Sequence, residues 1–289
     1  MTRPDADPVR LAFSPDSDDI FMFWPLLAGK VDAEGFVFRA ERADTESLNA
    51  RAASADIDVV AVSIARWPSI AKDYLLLPHG MSVGRGYGPV VVAREPRTLA
   101  SLEGKRIGVP GLRTTAYTVL RLLLPSFEPV VVPIAPYARA FEILREGAID
   151  AALLIHEGRL TFAREGMSCV ADVGVLWADL TDGLPLPLGG NAIRRGLGPA
   201  RVAQISRLIR ASIAWSLEHR EEVMRALLAA DGRADLALEP ALLDRYLAMY
   251  ANADTLDAPA DVRRAVQELY TRAQSAGVLR DAPTVEFAP

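Results

Sequence analysis

One cysteine, three histidines, no leader-like start and no long apolar run: the chain's absences narrow its class before any motif is read. With Cys169 alone, no intrachain disulfide and no cysteine-based metal cluster can form. No apolar stretch approaches the roughly 20 residues of a membrane span. The start, Met1 to Pro8, is polar and carries three charged residues, unlike the apolar core of a secretion signal. The expectation is a cytoplasmic protein. Basic residues are not in excess either: 32 Lys and Arg against 37 Asp and Glu give a net charge of −5. That argues against nucleic acid and membrane surfaces as partners, since both want a basic face. An anionic small molecule stays open, provided local donors hold it. No short-period repeat and no low-complexity segment occurs. There is no Gly-x-Ser-x-Gly elbow, so a serine nucleophile has little support.

What is present is a globular composition, 51% hydrophobic and 24% charged, over 289 residues. At roughly 150 residues per domain this suggests two domains or one large one. Short runs rich in Val, Ile and Leu alternate with amphipathic stretches, the pattern of a helix-covered parallel or mixed sheet. Strands are predicted at Val9–Phe13, Phe36–Ala40, Asp58–Val62, Tyr74–Leu77 and Pro89–Ala93. A second series follows at Arg106–Val109, Pro129–Val132, Ala151–Ile155 and Leu186–Ala192. Helices are predicted at Ile20–Ala28, Thr45–Ala53, Thr114–Leu124 and Ala138–Glu146. Beyond Pro199 the chain reads as almost purely helical: Val202–His219, Glu221–Ala230, Pro240–Ala251 and Ala260–Ala276. Extended crossings at Ala93–Thr98 and Leu188–Arg194 would divide the chain into two lobes. Residues 1–95 plus 196–289 would form a large α/β lobe with a helical end, and 96–195 a small α/β lobe. Ligand then binds at strand ends facing the cleft between them.

Three places could carry chemistry. The loop Ser14-Pro15-Asp16-Ser17-Asp18-Asp19 ends the first strand and opens a helix. Ser14 and Ser17 could face the cleft, or Ser17, Asp18 or Asp19 could simply cap the helix. Its three Asp residues raise a metal site, which the absence of a paired acidic or His cluster argues against. Gly111-Leu112-Arg113-Thr114-Thr115-Ala116-Tyr117 sits between a strand and a helix, where free amides and hydroxyls make an anion site. Simple Thr capping is the alternative there. It is not a phosphate loop, lacking the Lys and the glycine spacing. Gly84-Arg85-Gly86-Tyr87-Gly88-Pro89 reads as a turn. Of the histidines, His219 lies on a charged helix surface, and His79 is either structural or near the cleft. His156 directly follows the buried strand at 151–155, at the edge where α/β proteins place their sites. An imidazole can accept a proton near neutral pH. A buried, backbone-bonded histidine is the competing reading.

With these residues in hand, the chain resembles the 1,4-dihydroxy-6-naphthoate synthases, which act late in the futalosine route to menaquinone. The resemblance runs over nearly the whole chain. Its markers are Ser14-Pro15 with Asp19 and Phe21, Asp44 with Glu46-x-Leu48-Asn49, and Gly84-Arg85-Gly86-x-Gly88-Pro89. Then come Thr114-Thr115-Ala116-Tyr117, Ile155-His156-Glu157-x-Arg159 and Gly183-Leu184-Pro185-Leu186-Pro187-Leu188-Gly189. It implies a two-lobed periplasmic-binding-protein-like (type II) fold with a cleft between lobes. It also implies conversion of cyclic dehypoxanthine futalosine to 1,4-dihydroxy-6-naphthoate, a carbon–carbon lyase reaction with His156 as general base. Around the substrate it places Ser14, Asp19, Asn49, Ser63, Thr114, Thr115, Ala116 and Ile155. The ligand's carboxylate is expected at Thr114–Ala116, where unpaired amides and the helix dipole favour negative charge. No cofactor or metal is implied. Glu157 or Arg159 could orient His156 or close the lobes, with Arg159 read rather as a salt-bridge partner. The chain departs from the family at two points. The usual first loop has Cys-Pro-Asn-Asp-Thr where this chain has Asp16-Ser17-Asp18-Asp19-Ile20, and Ala61 stands where a lysine is frequent. A non-catalytic solute-binding protein for a small carboxylate and a chorismate dehydratase-like enzyme are the alternatives. The missing export signal weighs against the first, and Ile155-His156-Glu157 against the second.

Overall fold

The computed structural model describes residues 8–134, 138–229 and 239–289. Most of the polar start, residues 1–7, and Ala230 at the end of one predicted helix lie outside the described residues. The strands are β1 (Val9–Phe13), β2 (Phe38–Arg42), β3 (Val59–Ser63), β4 (Tyr74–Leu76), β5 (Ser82–Gly84), β6 (Val90–Ala93), β7 (Arg106–Val109), β8 (Glu128–Val131), β9 (Ala151–Leu154), β10 (Ser168–Asp172) and β11 (Leu186–Arg194). The helices are α1 (Ser17–Leu27), α2 (Thr45–Arg51), α3 (Thr115–Leu123), α4 (Ala138–Arg145), α5 (Gly158–Thr161), α6 (Val173–Leu180), α7 (Pro199–Glu218), α8 (Arg220–Ala229), α9 (Pro240–Tyr250), α10 (Ala253–Leu256) and α11 (Ala260–Ser275).

Two sheets form. The first runs β2-β1-β3-β11-β4, with β5 also paired to β11; the second runs β10-β6-β9-β7-β8. Within the first, β1 is parallel to β2 and β3, while β11 is antiparallel to β3, β4 and β5. The order follows from composition. Every residue of β3 is buried, as its Val-rich sequence requires of a central strand. Outermost β2 exposes Arg39 to Arg42, and its charges blunt an edge that could otherwise pair with another chain.

Sheet membership corrects the predicted crossings. The strand at 90–93 belongs to the second sheet and β11 to the first, so both fall on the other side of the boundaries drawn at 95 and 196. The chain passes to the second sheet between Gly84 and Val90 and returns between Asp172 and Leu186. The two passages touch. A Cβ on Gly174 would lie 2.1 Å from the Tyr87 carbonyl, and one on Gly88 would lie 2.8 Å from the Gly174 nitrogen. Only glycine at both positions permits that approach.

The helical end packs on the first sheet. Val202, Ile205, Leu208, Ile209 and Ile213 of α7, with Val262, Val266, Leu269 and Tyr270 of α11, share one core with β1, β3 and β11. A backbone repair fixes α7 on α1. Pro25 sits inside α1 and cannot donate to the Phe21 carbonyl; Ser216 Oγ donates there instead, at 2.5 Å. One turn on, Ser212 Oγ accepts from the Leu26 amide and donates to the Met22 carbonyl. The same core continues through α3 into Val91, Ile107 and Val109 of the second sheet. A separate apolar cluster joins α4 to that sheet, and a third joins Phe21 to α8 and α9.

Candidate active site

The loop after β1 folds on itself. Ser14 Oγ accepts from the Asp16 amide at 3.1 Å, and the Ser14 amide donates to Asp19 Oδ2 at 2.8 Å. The helix begins one residue earlier than any of the predicted caps allowed: the N-cap position is Asp16, and its side chain makes no capping bond. Ser17, Asp18 and Asp19 are therefore in the first turn, where carboxylates answer the helix dipole without capping it. Asp18 takes two hydroxyls, Ser82 at 2.6 Å and Tyr246 at 3.0 Å. Burial, and then the neighbouring charge of Asp18, push the Asp19 carboxyl well above the usual carboxylate range. Ser17 Oγ donates to the buried Glu157 at 2.9 Å, tying this loop to the segment that carries His156.

Ser63 ends β3. Its amide donates to Asn49 Oδ1 at 2.9 Å, and its hydroxyl accepts from Asn49 Nδ2 at 3.0 Å. Asn49 also reaches the Arg113 carbonyl at 3.4 Å, so it braces two walls from behind rather than lining the cavity.

Thr114 caps α3, accepting from the Tyr117 amide at 3.2 Å and donating to the Gly111 carbonyl. Thr115 spends its hydroxyl on backbone: it donates to Leu188 O at 2.6 Å and accepts from the Ala65 amide at 3.1 Å. The donors left for a ligand are main-chain ones, the first amides of a helix, which have no acceptor within it.

His156 lies just past the end of β9, with backbone in the left-handed region (φ 51°). A non-glycine residue held there is uncommon and marks an enforced geometry. Its Nδ1 is 3.2 Å from the Tyr246 hydroxyl. Its Nε2 is sealed from solvent, 3.4 Å from Asp16 Oδ2 and without hydrogen-bond alignment. Nearby, Arg159 pairs with Asp172 at 2.7 Å and lies over the Tyr87 ring.

These groups surround one cavity of about 740 Å³, part of it open to solvent. Of the residues singled out in the sequence, Ser14, Asp19, Ser63, Thr114, Thr115, Ala116, Ile155 and His156 line it, and Asn49 stands behind it. Sequence reasoning missed Ser82, Tyr246 and Tyr250 as wall residues; Asp18, in the first loop already weighed for the cleft, lines it beside Asp19. The two tyrosines come from α9, one turn apart, and only tertiary packing brings them to the cleft. Among the described residues, no group of three or more His, Cys, Asp or Glu is placed to hold a metal ion, and no helix is long and apolar enough to cross a membrane.

A family model described as menaquinone biosynthesis matches residues 9–275. A 1,4-dihydroxy-6-naphthoate synthase of Thermus thermophilus is 36% identical over 279 residues, covering 96% of this chain and 98% of that protein. The protein of the same name from Streptomyces coelicolor is 33% identical, covering 95% of each. The chain belongs to the 1,4-dihydroxy-6-naphthoate synthase family. It is thereby an enzyme of menaquinone biosynthesis. Among solved structures, a protein from Archaeoglobus fulgidus superposes with a TM-score of 0.86 at 38% identity, over 94% of this chain and 98% of that one. The alkanesulfonate-binding protein SsuA of Xanthomonas axonopodis pv. citri gives 0.73 at 17% identity, over 97% and 98%. That second likeness shows the periplasmic-binding-protein-like fold.

The departures from the family's first loop fall beside the cavity in the structure. Asp16, in place of the family's cysteine, faces His156, and Asp18, in place of its asparagine, takes the Tyr246 hydroxyl. Ala61 lines the cavity, where the family often brings a cation. The first-lobe wall is therefore acidic, and the donors of α3 lie on a different wall.

Proposed function

We propose that the protein converts cyclic dehypoxanthine futalosine to 1,4-dihydroxy-6-naphthoate in the cytoplasm, with His156 as general base. His156 takes a proton from the substrate, a carbon–carbon bond breaks to shed the sugar-derived part, and aromatisation drives the step. The observation that carries this is the placement of His156 in the wall of a cavity built from both sheets, with left-handed backbone and its Nδ1 3.2 Å from the Tyr246 hydroxyl. The substrate's carboxylate sits at the start of α3, on the amides of Thr115 and Ala116, where the helix dipole favours negative charge. It avoids the first-lobe wall, because Asp16 and Asp18 would repel it. Ser63, with its hydroxyl hydrogen turned from Asn49, meets a polar group of the ligand. The two lobes close on the substrate about the paired passages near Gly88 and Gly174.

The test is incubation of the purified protein with cyclic dehypoxanthine futalosine and a mass-spectrometric search for the naphthoate. Product that forms with protein and not without it supports the reading. Saturable binding with no product would favour a solute-binding role for the cleft. Consumption of chorismate instead would place the chain with the dehydratases.

A further inference from the structure

His156 is held by partners from outside its own sheet. Asp16 faces Nε2 from the loop after β1. Tyr246, from α9, faces Nδ1 and in turn reaches Asp18. Three contacts are thus strung in a line: Asp16 to Nε2, Nδ1 to the Tyr246 oxygen, and that oxygen to Asp18 Oδ1. Each needs one hydrogen to be favourable, since a lone pair facing a lone pair repels. A neutral imidazole brings one hydrogen and the tyrosine another. Within these three contacts the imidazole and the tyrosine supply two hydrogens, and an added proton supplies the third.

Geometry says where that proton enters. Nε2 is closed off from solvent. If the ring's one hydrogen sat on Nδ1, the Nε2 lone pair would face the Asp16 carboxylate with nothing between them. That repulsion favours the tautomer with its hydrogen on Nε2, on the side of Asp16, although the 3.4 Å contact there is not aligned as a hydrogen bond. Nδ1 then presents its single in-plane lone pair to the Tyr246 oxygen, and Tyr246 itself lines the cavity.

We propose that Tyr246 relays the proton that His156 takes up. The tyrosine's hydrogen, which donates to Asp18 at rest, turns to Nδ1, and the substrate's proton passes to the Tyr246 oxygen as that hydrogen passes to Nδ1. The tyrosine ends neutral, its new hydrogen directed to Asp18, and the imidazolium lies between Asp16 and the Tyr246 oxygen. Asp18 is prepared for this because its other oxygen is already held by Ser82. Charge is stabilised only after transfer, which is where such stabilisation accelerates a reaction. This inference rests on the reading of His156 as the proton acceptor.

Two measurements test it. In the ligand-free protein, ¹⁵N NMR of labelled histidine reads the tautomer directly, and with three histidines in the chain His156 is assignable by its loss in His156→Ala. The neutral ring should be the Nε2–H form; an Nδ1–H form overturns the relay whether or not the enzyme turns over. Tyr246→Phe should keep the substrate Kd within about threefold of wild type, yet lower single-turnover rate by roughly 10²-fold or more, the scale of a positioned proton-transfer group. A folded Tyr246→Phe protein that turns over within threefold of wild type also overturns the relay, while leaving His156 as base intact. If Tyr246→Phe does not fold, the wild-type tautomer decides. Absence of turnover in wild type would instead count against the reading of the reaction.

Discussion

Thr115→Val separates a ligand hydrogen bond from a structural one. Read from sequence, Thr115 would hold the substrate's carboxylate, and its loss would cost about 1–2 kcal/mol of binding. In the structure the hydroxyl is already committed. It donates to Leu188 O in β11 and accepts from the Ala65 amide in the turn after β3, so it stitches α3 of the second lobe to two segments of the first. Valine has nearly the same shape and leaves no cavity. What it leaves is an amide with no acceptor in a buried setting, at roughly 1–3 kcal/mol, and a half-buried carbonyl that costs less because water can reach it. The expected destabilisation is about 2–3 kcal/mol. Urea unfolding should show a lower midpoint with an unchanged slope, since the surface exposed on unfolding is the same. Thr115→Ser keeps the hydroxyl and should recover most of the loss, short of about 1 kcal/mol for the missing methyl. A Thr115→Val protein as stable as wild type, with ligand affinity alone reduced, would refute the structural assignment and restore the one read from sequence.

Two predictions concern pH. Burial lowers the pKa of His79 to about 4, so the folded state excludes the proton that the unfolded chain binds from its ordinary value near 6.5. Stability that is complete above pH 6.5 should therefore drain away as pH falls toward 4, by roughly 3 kcal/mol, and His79→Leu should flatten that part of a stability–pH curve measured by urea unfolding. For Asp19 the sign is opposite. Its folded pKa is raised by burial and by Asp18, so the folded state binds the proton more tightly, and stability falls as pH rises through the interval between the unfolded and folded values. Asp19→Asn should raise the melting temperature at neutral pH and give no gain below about pH 4, where wild type is protonated in both states. Equal gains at both pH values would mean that charge is not the cause.

The fold was legible where a strand announces itself by composition. Val9–Phe13 and Arg106–Val109 appear with the predicted bounds because each is a short apolar run between turn residues. Strands β5 and β10 were not foreseen: three residues at Ser82–Gly84 and the half-exposed edge Ser168–Asp172 carry no alternation. The crossings were misplaced for another reason. A run such as Leu186–Arg194 says that it is a strand, but its sheet depends on its partners, β3, β4 and β5, which lie some 100 residues away. The site shows the same division. Residues in strand-end loops, such as Ser14 and His156, could be picked from their position, whereas Ser63 followed from the family resemblance. Tyr246 could not, because its helix is amphipathic like its neighbours and only packing against α1 brings it to Asp18. Nor could the sequence say that Thr115 would spend its hydroxyl on backbone, or that Asn49 would brace Ser63 instead of meeting the ligand.

The central claim is that His156 is the group that takes the proton, and its most direct measurement is the single-turnover rate of His156→Ala on cyclic dehypoxanthine futalosine, beside its binding constant for the same substrate. The account predicts a folded protein that binds within a few-fold of wild type and forms the naphthoate roughly 10²–10⁴ times more slowly. His156→Asn should do no better, since an amide cannot accept the proton, and His79→Ala should keep most of the rate. Near-normal turnover by His156→Ala would contradict the account.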